Sequence, residues 1–400
     1  MLLLTALFVV ALAGRFSPGR LDLPTYGLTD LRVPGLTLLG FGALVQYAGA
    51  SARGIRLHWP RMVTFFCFLI GLQLITGLWA PPEARVGKLT WDLVAMLVLV
   101  LAATILAAAE PARAARVFLA LMLIAGIVYA VAGLIAGPQT QGRYSAFGGG
   151  PNVFVRVTCL GIIAAIALAV VHRRWLLLIP LPLLAAAAML SGSRGGLVSL
   201  VGAALAFFLL FLRRRRVVTL IATAVVASLV AWAVWRFLGD AVAALAEWRY
   251  SMSGIQQGDF SSRPMLMSWA WSFFLDHPIL GGGLDSYYAN FGFVYPHNYM
   301  LALAAESGIG ALALFALALF WFWREGTPWR AVSKEQIGCA VAAIYIGVAS
   351  NFSGDYYDTR FFWILAVIAV LRPPRAPRAP REALAVNYWN RQSARDFSLH

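Results

Sequence analysis

Residues 261–308 read SSRPMLMSWAWSFFLDHPILGGGLDSYYANFGFVYPHNYMLALAAESG. One arginine, two histidines, two aspartates, three consecutive glycines and ten aromatic side chains meet here, in a chain that is elsewhere relentlessly apolar. Most of the apolar windows in this stretch are shorter than the roughly 20 residues that a helix needs to cross a hydrocarbon core of about 30 Å. The stretch is therefore predicted to lie at a membrane surface. It forms the second part of a polar and aromatic segment that begins near Arg236 and runs to Glu306.

Outward from it in both directions the chain is a series of apolar windows. They fall at about 1–13, 33–50, 62–79, 91–109, 116–136, 153–171, 175–190, 197–212, 217–235, 298–322, 337–350 and 361–371. The first, MLLLTALFVVALA, has no basic residue before its apolar run and is expected to stay as a short span. The expected fold is an all-α polytopic membrane protein with about twelve transmembrane helices. Residues 1–235 carry the first nine, 236–297 form one long outer segment with short helices, 298–371 carry the last three, and 372–400 form a basic tail.

Composition agrees. The chain is 61% hydrophobic and 12% charged, about half the charge of a soluble globule, and its mean hydropathy is +0.76. Cys67, Cys159 and Cys339 lie inside apolar windows and read as small buried hydrophobes. The net charge of +15 comes from arginines spread between spans or gathered at span ends, such as Arg213 to Arg216. That distribution is a topology signal, and no nucleic acid partner is expected.

Twenty of the 32 Lys and Arg residues fall in one set of alternate loops and eleven in the other. The richer set is assigned to the cytoplasm, which places the 236–297 segment outside and both termini, with the proline-rich basic tail, inside. There is no P-loop, no GxGxxG after a strand and no cysteine pair at metal spacing. No DxD pair occurs either, and DYYD at 355–358 gives little support for a divalent ion. Metal-independent chemistry without a cofactor is expected, on a donor activated beforehand.

Arginines on the outer side run against the topology rule and so need another reason to be there. Arg143 lies in GRYSAFGGGPN, Arg194 in SGSRGG and Arg263 in SSRP, and Arg156 is one turn inside the span that starts near Asn152. The guanidinium fork matches phosphate oxygens and keeps its charge, so a cluster at the membrane surface suits a lipid-linked diphosphate. Of the five histidines only His277 and His297 fall in the outer segment. His277, before Pro278, reads as a helix-ending residue. His297 introduces the span that begins near Asn298, where the helix dipole favours a neutral ring able to accept a proton. Segment 265–275 after Pro264 reads as a short interfacial helix. The tyrosines and phenylalanines that follow suit either sugar stacking or an aromatic belt.

With GRYSAFGGGPNVFVR (142–156), SGSRGG (191–196), RPMLMSWAWSFFLDHPILGGGL (263–284) and PHNYMLALAAESGIGAL (296–312) in this order, the chain resembles the O-antigen ligase and polymerase family of membrane glycosyltransferases. The resemblance covers about 120–370. It implies a GT-C-like helical fold and a periplasmic active site. Arg194 and Arg263 would hold the donor diphosphate with Arg143 and Arg156 as helpers, and His297 would be the catalytic base. The implied donor is a glycan on undecaprenyl diphosphate, and the implied acceptor is a hydroxyl of lipid A-core, completing lipopolysaccharide. A polymerase using the same donor is the alternative. A transporter for a lipid-linked saccharide is the second, disfavoured because the span interiors are nearly free of charge.

Overall fold

The computed structural model describes residues 1–14, 30, 32–139, 142–211, 262–326 and 332–374 of the 400-residue chain. The ninth predicted span at 217–235, the Arg213–Arg216 cluster, the outer segment up to 261 and the tail beyond 374 lie outside the described residues.

The described elements are helical. In chain order they are α1 (Leu2–Ala13), α2 (Arg32–Ala52), α3 (Arg61–Thr76), α4 (Val86–Ala108), α5 (Pro111–Ala136), α6 (Pro151–His172), α7 (Leu181–Leu190) and α8 (Arg194–Phe211). After the undescribed segment come α9 (Ser262–Asp276), α10 (Ser286–Phe291), α11 (Tyr299–Gly326), α12 (Lys334–Ala349) and α13 (Arg360–Val370). Local chemistry sets several starts. Proline, which lacks the N–H that would be orphaned, opens α5 and α6, and a reciprocal Ser333–Gln336 capping box opens α12. Six helices among the described residues are long and apolar enough to cross a membrane, namely α2, α3 with its short extension to Trp79, α4, α5, α6 and α11. The chain is a multi-pass membrane protein.

The last predicted span takes a different form. All eleven residues of α13 are buried, and its rise of about 16 Å covers only half of a hydrocarbon core. Apolar on every side, it can be stable only when surrounded by other helices. It lies against α4, α5, α11 and α12, with Trp363 packed on Phe66 and Phe315. Gln336 on α12 donates to the carbonyls of Ile368, Ala369 and Leu371, which the end of α13 would otherwise leave unpaired. The preceding loop, 350–359, is largely buried too and runs back into the bundle.

Loops assigned to one face by their charge do meet. At one end Arg85 pairs with Asp285, Tyr144 N–H donates to Leu190 O, and Tyr299 N–H donates to Ser350 O. At the other, Arg116 pairs with Glu335, and Arg61 N–H donates to Glu325.

α11 is broken at Gly308, whose backbone sits at φ 69°, ψ −166°. A break strands carbonyls and N–H groups in a helix, and these must find other partners. The turn after α9 supplies them. Gly282 N–H donates to Ala305 O, Gly283 N–H to Glu306 O, and Ile309 N–H reaches Pro278 O, at 2.9, 3.1 and 2.9 Å. A Cβ on Gly308 would fall 2.2 Å from Ile279 O, so glycine is required both for the torsion and for the approach. The two stretches HPILGGGL and ESGIG are thus halves of one joint.

Candidate functional site

Three helices begin at one place. α6 opens at Pro151 and Asn152, α8 at Arg194, and α9 at Ser262 and Arg263, and residues from all three line a pocket of about 440 Å3. Asn152, Arg194, Gly195 and Arg263 come from these helix starts, Arg143 from the loop before α6, and Phe352 from the buried loop before α13. Among the described residues no carboxylate lines the pocket. The starts of α6 and α8 bring the positive ends of their dipoles to this space. Three guanidinium groups, those of Arg143, Arg194 and Arg263, add full charges.

The glycines of SGSRGG allow α8 to start this deep in the protein. A Cβ on Gly195 would lie 2.4 Å from the Phe352 Cβ, and one on Gly196 would lie 2.5 Å from Val155 Cγ1. Polar cross-ties then fix the wall. Arg143 Nε donates to Ser191 O at 2.8 Å, Ser193 Oγ donates to Asn152 Oδ1 at 2.9 Å, and Asn152 Nδ2 donates to Ser353 Oγ at 2.8 Å. Asn152 therefore links the 191–194 turn to the 350–359 loop. Its position at the start of α6 was visible in the sequence, but its three-way role was not.

Arg156 lies one turn below Asn152 and lines a narrow cleft beside the main pocket, together with Arg263. Its guanidinium is held by protein groups. It donates to the carbonyls of Ala349 and Ser353 and stands 3.6 Å from the Asp358 carboxylate, which Arg360 approaches at the same distance. Arg156 is thus built into the floor of the site, whereas Arg194 and Arg263 stand at its mouth, partly exposed.

His297 is not among the residues lining the pocket. It precedes Asn298, whose side chain accepts from Leu301 N–H at 3.0 Å and so caps α11 in its place. The His297 backbone adopts φ 58°, in the left-handed region, which swings the residue off the helix start. Its ring packs edge-on against Tyr295, with centroids 4.7 Å apart. Burial, reinforced by Asp358 and Asp355, raises the Tyr295 pKa above the ordinary tyrosine value, and the nearby Ser353 hydroxyl opposes that shift. Tyr295, which the His297 ring touches, and Ser353, which accepts from Asn152, lie between the histidine and the arginine pocket. His277 ends α9 as expected: its backbone N–H donates to Phe273 O and its ring lies on Phe273. α9 itself covers the predicted 265–275 helix, burying Leu266, Ala270 and Phe274 and exposing Trp271 and Leu275.

A second polar cluster supports the joint at Gly308. The Glu306 carboxylate accepts from the Tyr356 hydroxyl at 2.7 Å and lies near the backbone N–H groups of Asp285 and Tyr287. Asp285, buried and in the left-handed region, takes Arg85 through both carboxylate oxygens, each at 2.9 Å. The pair lifts the Arg85 pKa above its ordinary value, and the guanidinium lies 3.5 Å from the centre of the Tyr288 ring. Glu306 falls inside the apolar window at 298–322, and nothing in its local sequence signals this role. Among the described residues no group of three or more His, Cys, Asp or Glu side chains is placed to hold a metal.

No curated protein and no solved structure matches the chain. A family model does: residues 179–316 match the model described as O-antigen ligase. The matched stretch runs from just before α7 to the middle of α11, and so contains Arg194, Arg263, His297 and both halves of the Gly308 joint. Arg143 and Arg156 lie outside it. Members of this family are membrane glycosyltransferase-like enzymes that act on lipid-linked glycans and lipid acceptors. Over this stretch, about a third of its length, the chain is similar to the O-antigen ligase family.

Proposed function

We propose that the protein is an O-antigen ligase of GT-C-like class, transferring a glycan from undecaprenyl diphosphate to a hydroxyl of lipid A-core at the periplasmic face of the inner membrane. One observation carries this reading. Arg143, Arg194 and Arg263 and the starts of α6 and α8 converge on one pocket that no carboxylate lines among the described residues, a setting suited to a multiply charged anion. The acceptor oxygen attacks the anomeric carbon and forms the new C–O bond. The bond from that carbon to the phosphate oxygen breaks, and its electron pair leaves with undecaprenyl diphosphate. Attack opposite the leaving group inverts the configuration. Arg194 and Arg263 bind the diphosphate and neutralise the charge that develops on it, Arg143 contributes from the wall, and Arg156 positions the floor. His297 takes the proton of the acceptor hydroxyl. No metal or cofactor enters the reaction.

The test is transfer by purified Arg194→Lys and Arg263→Lys proteins. Lysine keeps the charge and loses the two-pronged fork, so each variant should insert normally and transfer at least tenfold more slowly. Wild-type rates in both would remove the arginines from the reaction. A deletion strain then separates ligase from polymerase. Loss of a ligase strips all glycan from lipid A-core and leaves long chains on the carrier, whereas loss of a polymerase leaves core bearing one repeat.

A further inference from the structure

At the opposite end of the bundle from the arginine pocket, the last turns of α2 and α4 and the loop between α2 and α3 enclose a second cavity, of about 410 Å3. Its walls include Tyr47 and Ser51 on α2, Thr104 on α4, and Arg56, His58 and Trp59 on the loop. Arg56 is exposed and makes no hydrogen bond or ion pair with any described residue. The neighbouring cations are differently placed. Arg53 is tied back to Gly49 O, Arg61 lies over the Trp321 ring, and Arg372 donates to Glu325 O. Among the described residues no carboxylate lines the cavity.

The walls are amphipathic in a directed way. Leu44, Tyr47 and Ser51 are spaced three and four residues apart, so they lie on one face of α2. Leu44 is exposed, as are Leu38, Phe41 and Val45 further up the helix. An apolar face long enough for acyl chains therefore leads into a hollow that ends in a guanidinium, a hydroxyl and an indole. Trp59 is fixed there by its Nε1–H bond to Thr64 Oγ1 at 3.0 Å, and His58 Nδ1 accepts from Arg372 N–H at 3.3 Å. Indole rings and basic side chains at the end of an apolar helix face are the groups that hold a phospholipid at its headgroup level.

We infer that this cavity binds one anionic phospholipid, with its phosphate on Arg56 and its acyl chains along the exposed face of α2. The site is separate from the arginine pocket and does not depend on the reaction proposed for it. The test uses the full chain purified in detergent and native mass spectrometry with phosphatidylglycerol, phosphatidylcholine or inorganic phosphate as probes. Wild type should retain one phosphatidylglycerol in preference to phosphatidylcholine, and Arg56→Gln should weaken that binding by about fivefold, the effect of one basic residue near a headgroup. Arg53→Gln, on the same loop but turned away to Gly49, should leave it unchanged. Because Arg56 is exposed and bonds to no described residue, its substitution should not disturb folding, which a wild-type unfolding curve would verify. Equal losses in the two variants, no loss in Arg56→Gln, or competition by inorganic phosphate at concentrations comparable to those of the lipid would each overturn the assignment.

Discussion

Gly308→Ala should be among the most damaging single-methyl changes in this protein, while Gly310→Ala, two residues along the same helix, should be harmless. At 308 the new Cβ would stand 2.2 Å from Ile279 O and 2.8 Å from Gly281 N, on a backbone with φ +69°. Holding alanine in a left-handed region costs about 1–2 kcal/mol. Relieving the overlap means backing the 278–283 turn away from α11, which gives up the three hydrogen bonds that satisfy the break, each worth about 1 kcal/mol net. The combined loss is about 4 kcal/mol. At 310 the helix is regular, and the Cβ would meet only Leu72 Cδ2 at an ordinary 3.4 Å. There alanine should stabilise by about 0.5–1 kcal/mol through reduced backbone entropy. Equilibrium unfolding of both variants in mixed detergent and SDS micelles, followed by tryptophan fluorescence, measures the pair. A Gly308→Ala protein within about 1 kcal/mol of wild type, or equal damage at both positions, would refute the joint as described.

Four further outcomes are expected. His297→Ala should lower transfer by about 10² to 10⁴ while leaving binding of the lipid-linked donor largely intact, measured as turnover against donor retention; collapse of donor binding instead would move the histidine from proton transfer to substrate binding. Chelator should leave the rate of purified enzyme unchanged in a transfer assay, and a loss restored by a divalent ion would contradict metal-independent chemistry. In a Cys67→Ala background, Val294→Cys should react with a membrane-impermeant thiol reagent in spheroplasts and Glu110→Cys should not, with reversed labelling inverting the topology. Asp285→Ala should destabilise by about 3 kcal/mol in the same micelle unfolding assay, since it leaves Arg85 without its partner and removes a buried carboxylate from the α10 start.

The helical class and the separation of the two loop sets were legible in the sequence because both follow from local composition: apolar windows of sufficient length, and lysine and arginine counts between them. The arginines were legible as well, since each sat in a glycine- or proline-marked context at a span end. What escaped was anything set by contact between distant segments. Nothing local to HPILGGGL says that its amides will serve carbonyls freed at Gly308, and nothing in NFSGDYYD says that Ser353 will accept from Asn152. The 361–371 window has the hydropathy of a span, and only the surrounding helices reveal that it is enclosed by protein. His297 was placed at the right helix but one residue too far in, because Asn298 is the better cap and takes that position.

The short enclosed helix α13 has a consequence for how the protein divides. The loop before it supplies Phe352 to the arginine pocket and Ser353 to Asn152 in its wall, and its first residue, Arg360, is anchored by donating Nε–H to Ala11 O in α1 and Nη1–H to Tyr357 O. The pocket's far wall therefore hangs from the first helix of the chain, more than 160 residues before the stretch that matches the family model. Recognisable sequence and working unit have different borders: grafted onto another scaffold, residues 179–316 would bring Arg194, Arg263 and His297 along with no floor beneath them.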